Sequence, residues 1–356
     1  MKAGADRIMG NGTMELAPTV ARRAVLSGAG ALAFSGALPG VIGRAQAAPL
    51  RMRLSSSLPN DPKYANGRTY SDLLQKMLGE NGLGEQIAIQ FFPDNQLGQE
   101  IDVINSVKLG VIDMMVSGSS ISANLVPLVG VLDLGYLFQS FPQQTRAIDA
   151  GAGKPVEEAL LRGAAIRVIG WSYNFGARSV LSKRPVSTPE DLSGLKIRTL
   201  PNPIITECLR MMGAAATPLA FGEIYTALQA GVLDGMEHDP PTILASKFYE
   251  TARFYALTEH IFSPLLVYLG DASFKRMDPK LREGFLDAAS RAAVAHRAHG
   301  LAVEQEALGM LRTNGVTVTA CDKEAFRKRV LPQTDAFLRR MPDAKAIVDR
   351  IRDTTA

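Results

Sequence analysis

Arg198 closes the run Asp191-Leu-Ser-Gly-Leu-Lys-Ile-Arg198, which the spacing predicts as a turn feeding a short buried strand. A guanidinium at such a strand end, facing a cleft, can hold a carboxylate through two parallel charge-assisted hydrogen bonds. That chemistry points to the carriage of a small organic acid. Asp234, Glu237, His238 and Asp239 have metal-ligand side chains, but a single histidine in a proline-rich turn lacks the convergent spacing of a zinc site. His296 and His299 stand three apart on a long helix and read as a solvated surface pair. The chain has no phosphate-cradling glycine loop, no Gly-x-Ser-x-Gly elbow and no recognisable Cys/His pair. No metal and no cofactor is expected, and an enzyme acting on an organic acid is the alternative from a different class.

Strand-like runs alternate with helical ones, the pattern of an α/β protein with mostly parallel sheets. Leu50 to Ser55 and Ile87 to Phe92 read as strands flanking a helix from Tyr64 to Leu78. Gly98 to Leu109 reads as a helix with Ile101, Ile104, Val107 and Lys108 on one side, and Ile112 to Val116 returns to the sheet. The same grammar recurs from Ala165: strands at Arg167 to Trp171, Ser179 to Leu181 and Leu195 to Arg198, then a helix from Pro203 to Met212 stopped by Gly213. Gly110-Val-Ile-Asp113 and Gly231-Val-Leu-Asp234 are matched helix stops, each leading into a strand whose carboxyl end is a natural ligand edge. An Ala-rich helix from Leu281 to Leu311 is long enough to brace two lobes. A strand at Val316 to Thr319 and two terminal helices follow.

Residues 1–47 read as an export signal: Arg22-Arg23, a weakly apolar Ala/Gly/Ser stretch and the small-x-small Ala45-Gln46-Ala47. The twin arginine suggests the twin-arginine route, with the general secretory route as the alternative, and in either case a periplasmic mature protein. Removing this leader takes five basic and two acidic residues from totals of 39 and 35, leaving 34 and 33. The basic balance therefore belongs to the leader and gives no support for a nucleic-acid partner. The remaining 309 residues suit two domains. Cys208 and Cys321 either pair or stay as free buried thiols.

Several spaced motifs in one order resemble the substrate-binding proteins of TRAP (tripartite ATP-independent periplasmic) transporters. They are Phe92-Pro93, Gln96-Leu97-Gly98, Gly110-x-x-Asp113-Met114, Leu192-x-Gly194-Leu-Lys-Ile-Arg198, Met212-Gly213-Ala214, Pro218-x-x-Phe221-x-Glu223-x-Tyr225-x-Ala227-Leu228-Gln229 and Gly231-x-x-Asp234-Gly235. The resemblance runs from about Leu50 to the C-terminus. It implies a two-lobed venus-flytrap fold, with lobe I from 48–175 and 264–303 and lobe II from 176–263 and 304–356. It also implies delivery of an organic acid to small and large integral membrane subunits. Arg198 matches the family's carboxylate-binding arginine, Arg178 a second arginine or polar contact, and Phe221 the aromatic that closes over the ligand.

Asn202 stands in the loop after Arg198, where its amide either meets the ligand or caps the next helix. Where many relatives carry Glu-Asn-Pro, this chain has Glu237-His238-Asp239-Pro240, so His238 replaces a substrate-binding asparagine. Asp239 repels a second carboxylate and accepts hydroxyls, which favours a hydroxylated monocarboxylate such as a sugar acid. A C4-dicarboxylate or 2-oxo acid is the alternative ligand. Ser117 and Ser119 stand where sialic-acid-binding members place a glutamate, and these small hydroxyls suit a compact polyol. Asn60 and Tyr64 belong to the loop expected to edge the cleft from the first lobe.

Overall fold

The computed structural model describes residues 48–172 and 176–354. The export-signal assignment to residues 1–47 lies outside them. Eleven strands occur among the described residues: β1 (Leu50–Ser55), β2 (Ile87–Phe92), β3 (Met114–Gly118), β4 (Ile166–Trp171), β5 (Ala177–Ser182), β6 (Lys196–Thr199), β7 (Ala215–Pro218), β8 (Gly235–His238), β9 (Phe254–Phe262), β10 (Leu265–Gly270) and β11 (Thr317–Thr319). They form a five-stranded sheet of order β2-β1-β3-β10-β4 and a six-stranded sheet of order β11-β9-β5-β8-β6-β7.

Each sheet contains one reversed strand. β10 runs antiparallel to β3 and β4, and β5 runs antiparallel to β8 and β9. Each is the strand that enters its sheet directly from the other: β5 follows β4 and β10 follows β9. The remaining strands share one direction within their sheet, because helical crossovers join them. This exchange of strands builds two α/β lobes from an interleaved chain.

The helix Pro279–Thr313 runs 35 residues and fits the expected brace. It packs on the helix Asn66–Glu80 and β4 in the first lobe, and on the helix Pro240–Ala245 and β11 in the second. Its buried face, Phe285, Ala288, Ala289, Ala292, Ala293, Val303, Ala307 and Leu311, is rich in alanine, which allows both lobes to approach the helix axis closely. His296 lies on that face, fully buried, with Nδ1 2.6 Å from Ser172 Oγ. The expected solvated histidine pair is therefore corrected: the apolar stripe turns His296 inward.

The second helix spans Glu100–Lys108, and its buried positions are Glu100, Val103, Ile104 and Val107. The stripe expected from Ile101 and Lys108 is thus rotated by one residue, and Lys108 is exposed. This rotation turns a glutamate inward. Three helices, Lys323–Val330, Pro332–Arg340 and Lys345–Asp353, close the chain where two were expected, because Pro332 and Pro342 interrupt the run. Cys208 and Cys321 are free thiols.

Candidate functional site

The carboxyl ends of β1, β3, β6 and β8 and the amino end of the reversed β5 face the same cleft, the edge at which open α/β sheets bind ligands. Ser57 and Leu58 follow β1, Ser117 and Gly118 end β3, Leu200 follows β6, His238 ends β8 and Arg178 begins β5. These residues, with Glu100, Ser120 and Phe221, line one cavity between the lobes. The cleft is closed: Gly222 approaches the first lobe so nearly that a Cβ on it would lie 2.9 Å from Gln99 Nε2 and 3.1 Å from Asn95 Nδ2. The enclosed space is tight, about 10 Å³, so a ligand enters only when the walls part. A roomier hollow of about 370 Å³ between Phe141, Trp171 and Leu301 is mostly apolar and holds neither Arg198 nor Arg178.

Arg198 is fully buried on β6. Its Nε donates to the Leu219 carbonyl at 2.8 Å, which fixes the plane of the guanidinium. Its two terminal nitrogens are buried with no hydrogen-bond partner. Burial lowers this group to about 10, against the ordinary arginine value. The Phe221 ring lies over the guanidinium, its centroid 6.0 Å from Arg198 Cζ. Phe221 meets His238 and Phe248 edge to face at 5.9 and 5.6 Å, so the aromatic cover is held from two sides.

Arg178 differs. It is equally buried, but its Nη2 donates to Glu237 Oε1 at 2.7 Å and to the Glu237 carbonyl at 3.1 Å, while Nε donates to Oε2. Burial alone would raise Glu237, yet the adjoining Arg178 holds it down at about 2. His260 adds a third group, with Nε2 3.6 Å from Glu237 Oε2 and Nδ1 2.9 Å from Thr258 Oγ1. A bulge in β9 opposite Arg178 and Val180, with Glu259 at φ 43°, turns His260 toward this pair. Burial and the nearby Arg178 charge keep His238 below the usual histidine range, so the ring is neutral near pH 7.

The sequence-predicted residues separate into three groups. Arg178, Phe221, His238 and Ser117 line the cavity, and Arg198 lies beside Phe221. Asp239, Asn202 and Ser119 are buried behind the wall: Asp239 Oδ1 lies 2.5 Å from His238 Nδ1, and Ser119 Oγ donates to Asp133. Asn202 caps the helix Pro203–Met212 through Oδ1, and its amide is not in the cavity wall. Asn60 and Tyr64 are not brought to the cavity; Asn60 accepts from Arg68, and the Tyr64 hydroxyl donates to Glu306. Their loop turns outward because Asp61 captures the Lys63 and Tyr64 amides.

Sequence reasoning missed Glu100, Asp133 and His260. Ser117 Oγ donates to Glu100 Oε1 at 2.6 Å, which places an oriented carboxylate in the cavity wall. The signal for Glu100 was a charged residue in the i, i+3, i+4, i+7 stripe of an amphipathic helix. His260 carried no such signal, since its inward turn depends on the β9 bulge.

Among the described residues, no group of three or more His, Cys, Asp or Glu side chains is arranged to hold a metal ion, and no helix is long and apolar enough to cross a membrane. Residues 59–340 match the DctP family, described as bacterial extracellular solute-binding protein, family 7. A 2,3-diketo-L-gulonate-binding periplasmic protein of Escherichia coli is 32% identical over 294 residues, covering 82% of this chain and 88% of that protein. A TRAP periplasmic solute-binding protein of Chromohalobacter salexigens, solved with bound D-glucuronate, is 30% identical with a TM-score of 0.80, covering 85% of this chain and 100% of that one. A counterpart from Xanthobacter autotrophicus, solved with bound β-D-galacturonate, is 28% identical with a TM-score of 0.80 and the same coverage of both chains. The chain belongs to the DctP family of TRAP solute-binding proteins, and it is a solute receptor rather than an enzyme.

Proposed function

We propose that this protein is a periplasmic receptor for a sugar acid, held through its carboxylate by Arg198 and handed to the small and large membrane subunits of a TRAP symporter. The observation that carries this is the buried Arg198 fork with both terminal nitrogens unpaired. A buried guanidinium in that state offers two parallel donors to an anion. Closure would bring together lobe I, 48–175 with 264–303, and lobe II, 176–263 with 304–356. The C. salexigens and X. autotrophicus relatives hold uronates, and the E. coli relative is named for a diketo sugar acid.

The number of carboxylates follows from charge. Arg178 is the one cationic side chain among the cavity-lining residues, and Glu237 already engages it. A second carboxylate would meet Glu100 without a free cation, whereas a hydroxyl can donate to Glu100 or exchange bonds with Ser117. This favours a polyhydroxy monocarboxylate over a C4-dicarboxylate. A thermal-shift panel of D-glucuronate, D-galacturonate, L-galactonate, succinate and 2-oxoglutarate tests it. Shifts with the sugar acids alone are expected, and a shift with succinate alone would overturn the ligand class.

A further inference from the structure

Ser119 and Ser120 leave the end of β3, and Asn202 leaves the end of β6, so the two segments belong to different sheets. They meet at Asp133, which is fully buried at the end of the short helix Pro127–Asp133. Asp133 Oδ1 accepts from Ser119 Oγ and Ser120 Oγ, each at 2.8 Å. Asn202 Nδ2 donates to the Ser120 carbonyl at 2.8 Å and to Asp133 Oδ2 at 3.3 Å. Asn202 Oδ1 accepts from the Ile204 and Ile205 amides at 2.8 and 3.1 Å. One residue earlier in the same loop, the Pro201 carbonyl accepts from Asn124 Nδ2 at 3.1 Å.

We propose that Asp133 and Asn202 form a clasp between the lobes that positions the Arg198 loop against the serine floor of the cavity. A helix cap needs only a side-chain oxygen, which serine or aspartate supplies as well as asparagine. The nitrogen end of Asn202 therefore serves something other than the cap, and both of its acceptors lie in the helical segment that connects β3 to β4 of the other sheet. Asp133 is a carboxylate with three neutral donors and no cation in contact, an unfavourable group to bury. Its isosteric replacement by asparagine would remove that cost and keep one oxygen to accept from Ser119 and Ser120, but would set an NH2 donor against Asn202 Nδ2 where Oδ2 now accepts. Arg198 lies four residues before Asn202, with Leu200, a cavity wall residue, between them. A fixed Asn202 restricts this segment, and weakening its two bonds to Ser120 and Asp133 loosens it. Asp133 and Asn202 are thus positioning residues that act through Arg198 and Ser120.

The clasp itself does not depend on ligand identity, whereas its effect on binding rests on the sugar-acid reading above. Asn202→Ser separates the two roles, because serine keeps the cap and lacks the amide donors. In the ligand-free protein, hydrogen exchange is expected to quicken in peptides covering 119–126 and 199–203 and to stay unchanged across 206–212. Unchanged exchange in the first two segments would overturn the clasp, and so would equal loosening of all three, which marks a failed cap. With D-glucuronate as probe, the dissociation rate is expected to rise about 5- to 30-fold with the association rate within about twofold. Asp133→Asn combined with Asn202→Ser should add less than the two separate effects. Independent, fully additive effects would contradict the coupling. If the parent protein does not bind D-glucuronate, the ligand assignment fails, and the exchange measurement still decides the clasp.

Discussion

Arg178 spends its guanidinium on Glu237, while Arg198 keeps both terminal nitrogens unpaired. Two buried arginines of the same sheet therefore differ: one completes a polar network, and the other has two donors unpaired. Arg178 and Glu237 lie on neighbouring strands β5 and β8, so the pair also fixes the register at the cleft edge.

Glu237→Gln should destabilise the protein. It leaves Arg178 buried without its counter-charge, a loss of about 3–5 kcal/mol, visible as a melting temperature lower by roughly 10 °C at pH 7. Glu237 is held at about 2 in the fold, below its ordinary value of 4.5, so its contribution is present above about pH 4.5 and is lost as pH falls through about 2. Acid titration of stability should therefore be shallower in the variant than in the parent over that window.

Glu304 predicts the opposite slope. It is buried on the bracing helix, accepts from the Ala177 amide at 3.2 Å, and burial pushes it up to about 8. The folded state binds the extra proton, so stability from this group is complete below about pH 4.5 and declines as pH rises through about 8. Glu304→Gln should match the parent near pH 5 and melt higher at pH 9. A variant that melts lower than the parent at pH 9 would contradict this assignment.

Phe221→Ala should weaken D-glucuronate binding by roughly tenfold or more, since the ring covers the Arg198 fork and lines the cavity. Calorimetry on the variant checks this, and an unchanged dissociation constant would place the ring outside the binding face.

Glu100→Gln should reduce discrimination more than affinity for the carboxylate. The amide can still accept from Ser117, but it loses the charge that receives ligand hydroxyls and repels a second carboxylate. The ratio of dissociation constants for succinate and D-glucuronate should shrink by about tenfold. An unchanged ratio would remove Glu100 from ligand selection.

Local pattern made much of this molecule legible. The β1 and β2 limits, the helix Pro203–Met212 and its Gly213 stop at φ 115° follow from alternation, a proline at the helix start and a glycine at its end. The burial of Arg198 near the end of β6 was readable from the apolar run that holds it. What depends on tertiary geometry was not readable. Asp133 and Asn202 stand 69 positions apart, and their meeting follows from the closeness of two sheets. Asp239 was legible only as a neighbour of His238; that its Oδ1 meets the His238 ring at 2.5 Å depends on the fold. The Tyr64 loop turned outward through Asp61, a local Asx turn whose direction the sequence does not reveal.

The most direct measurement is the dissociation constant of D-glucuronate for the parent and for Arg198→Lys by calorimetry at pH 7. Lysine keeps a positive charge and loses the planar fork, so the variant should bind about 30-fold more weakly or worse while melting within a few degrees of the parent. Equal affinity in the two proteins would contradict a bidentate Arg198–carboxylate pair as the basis of binding.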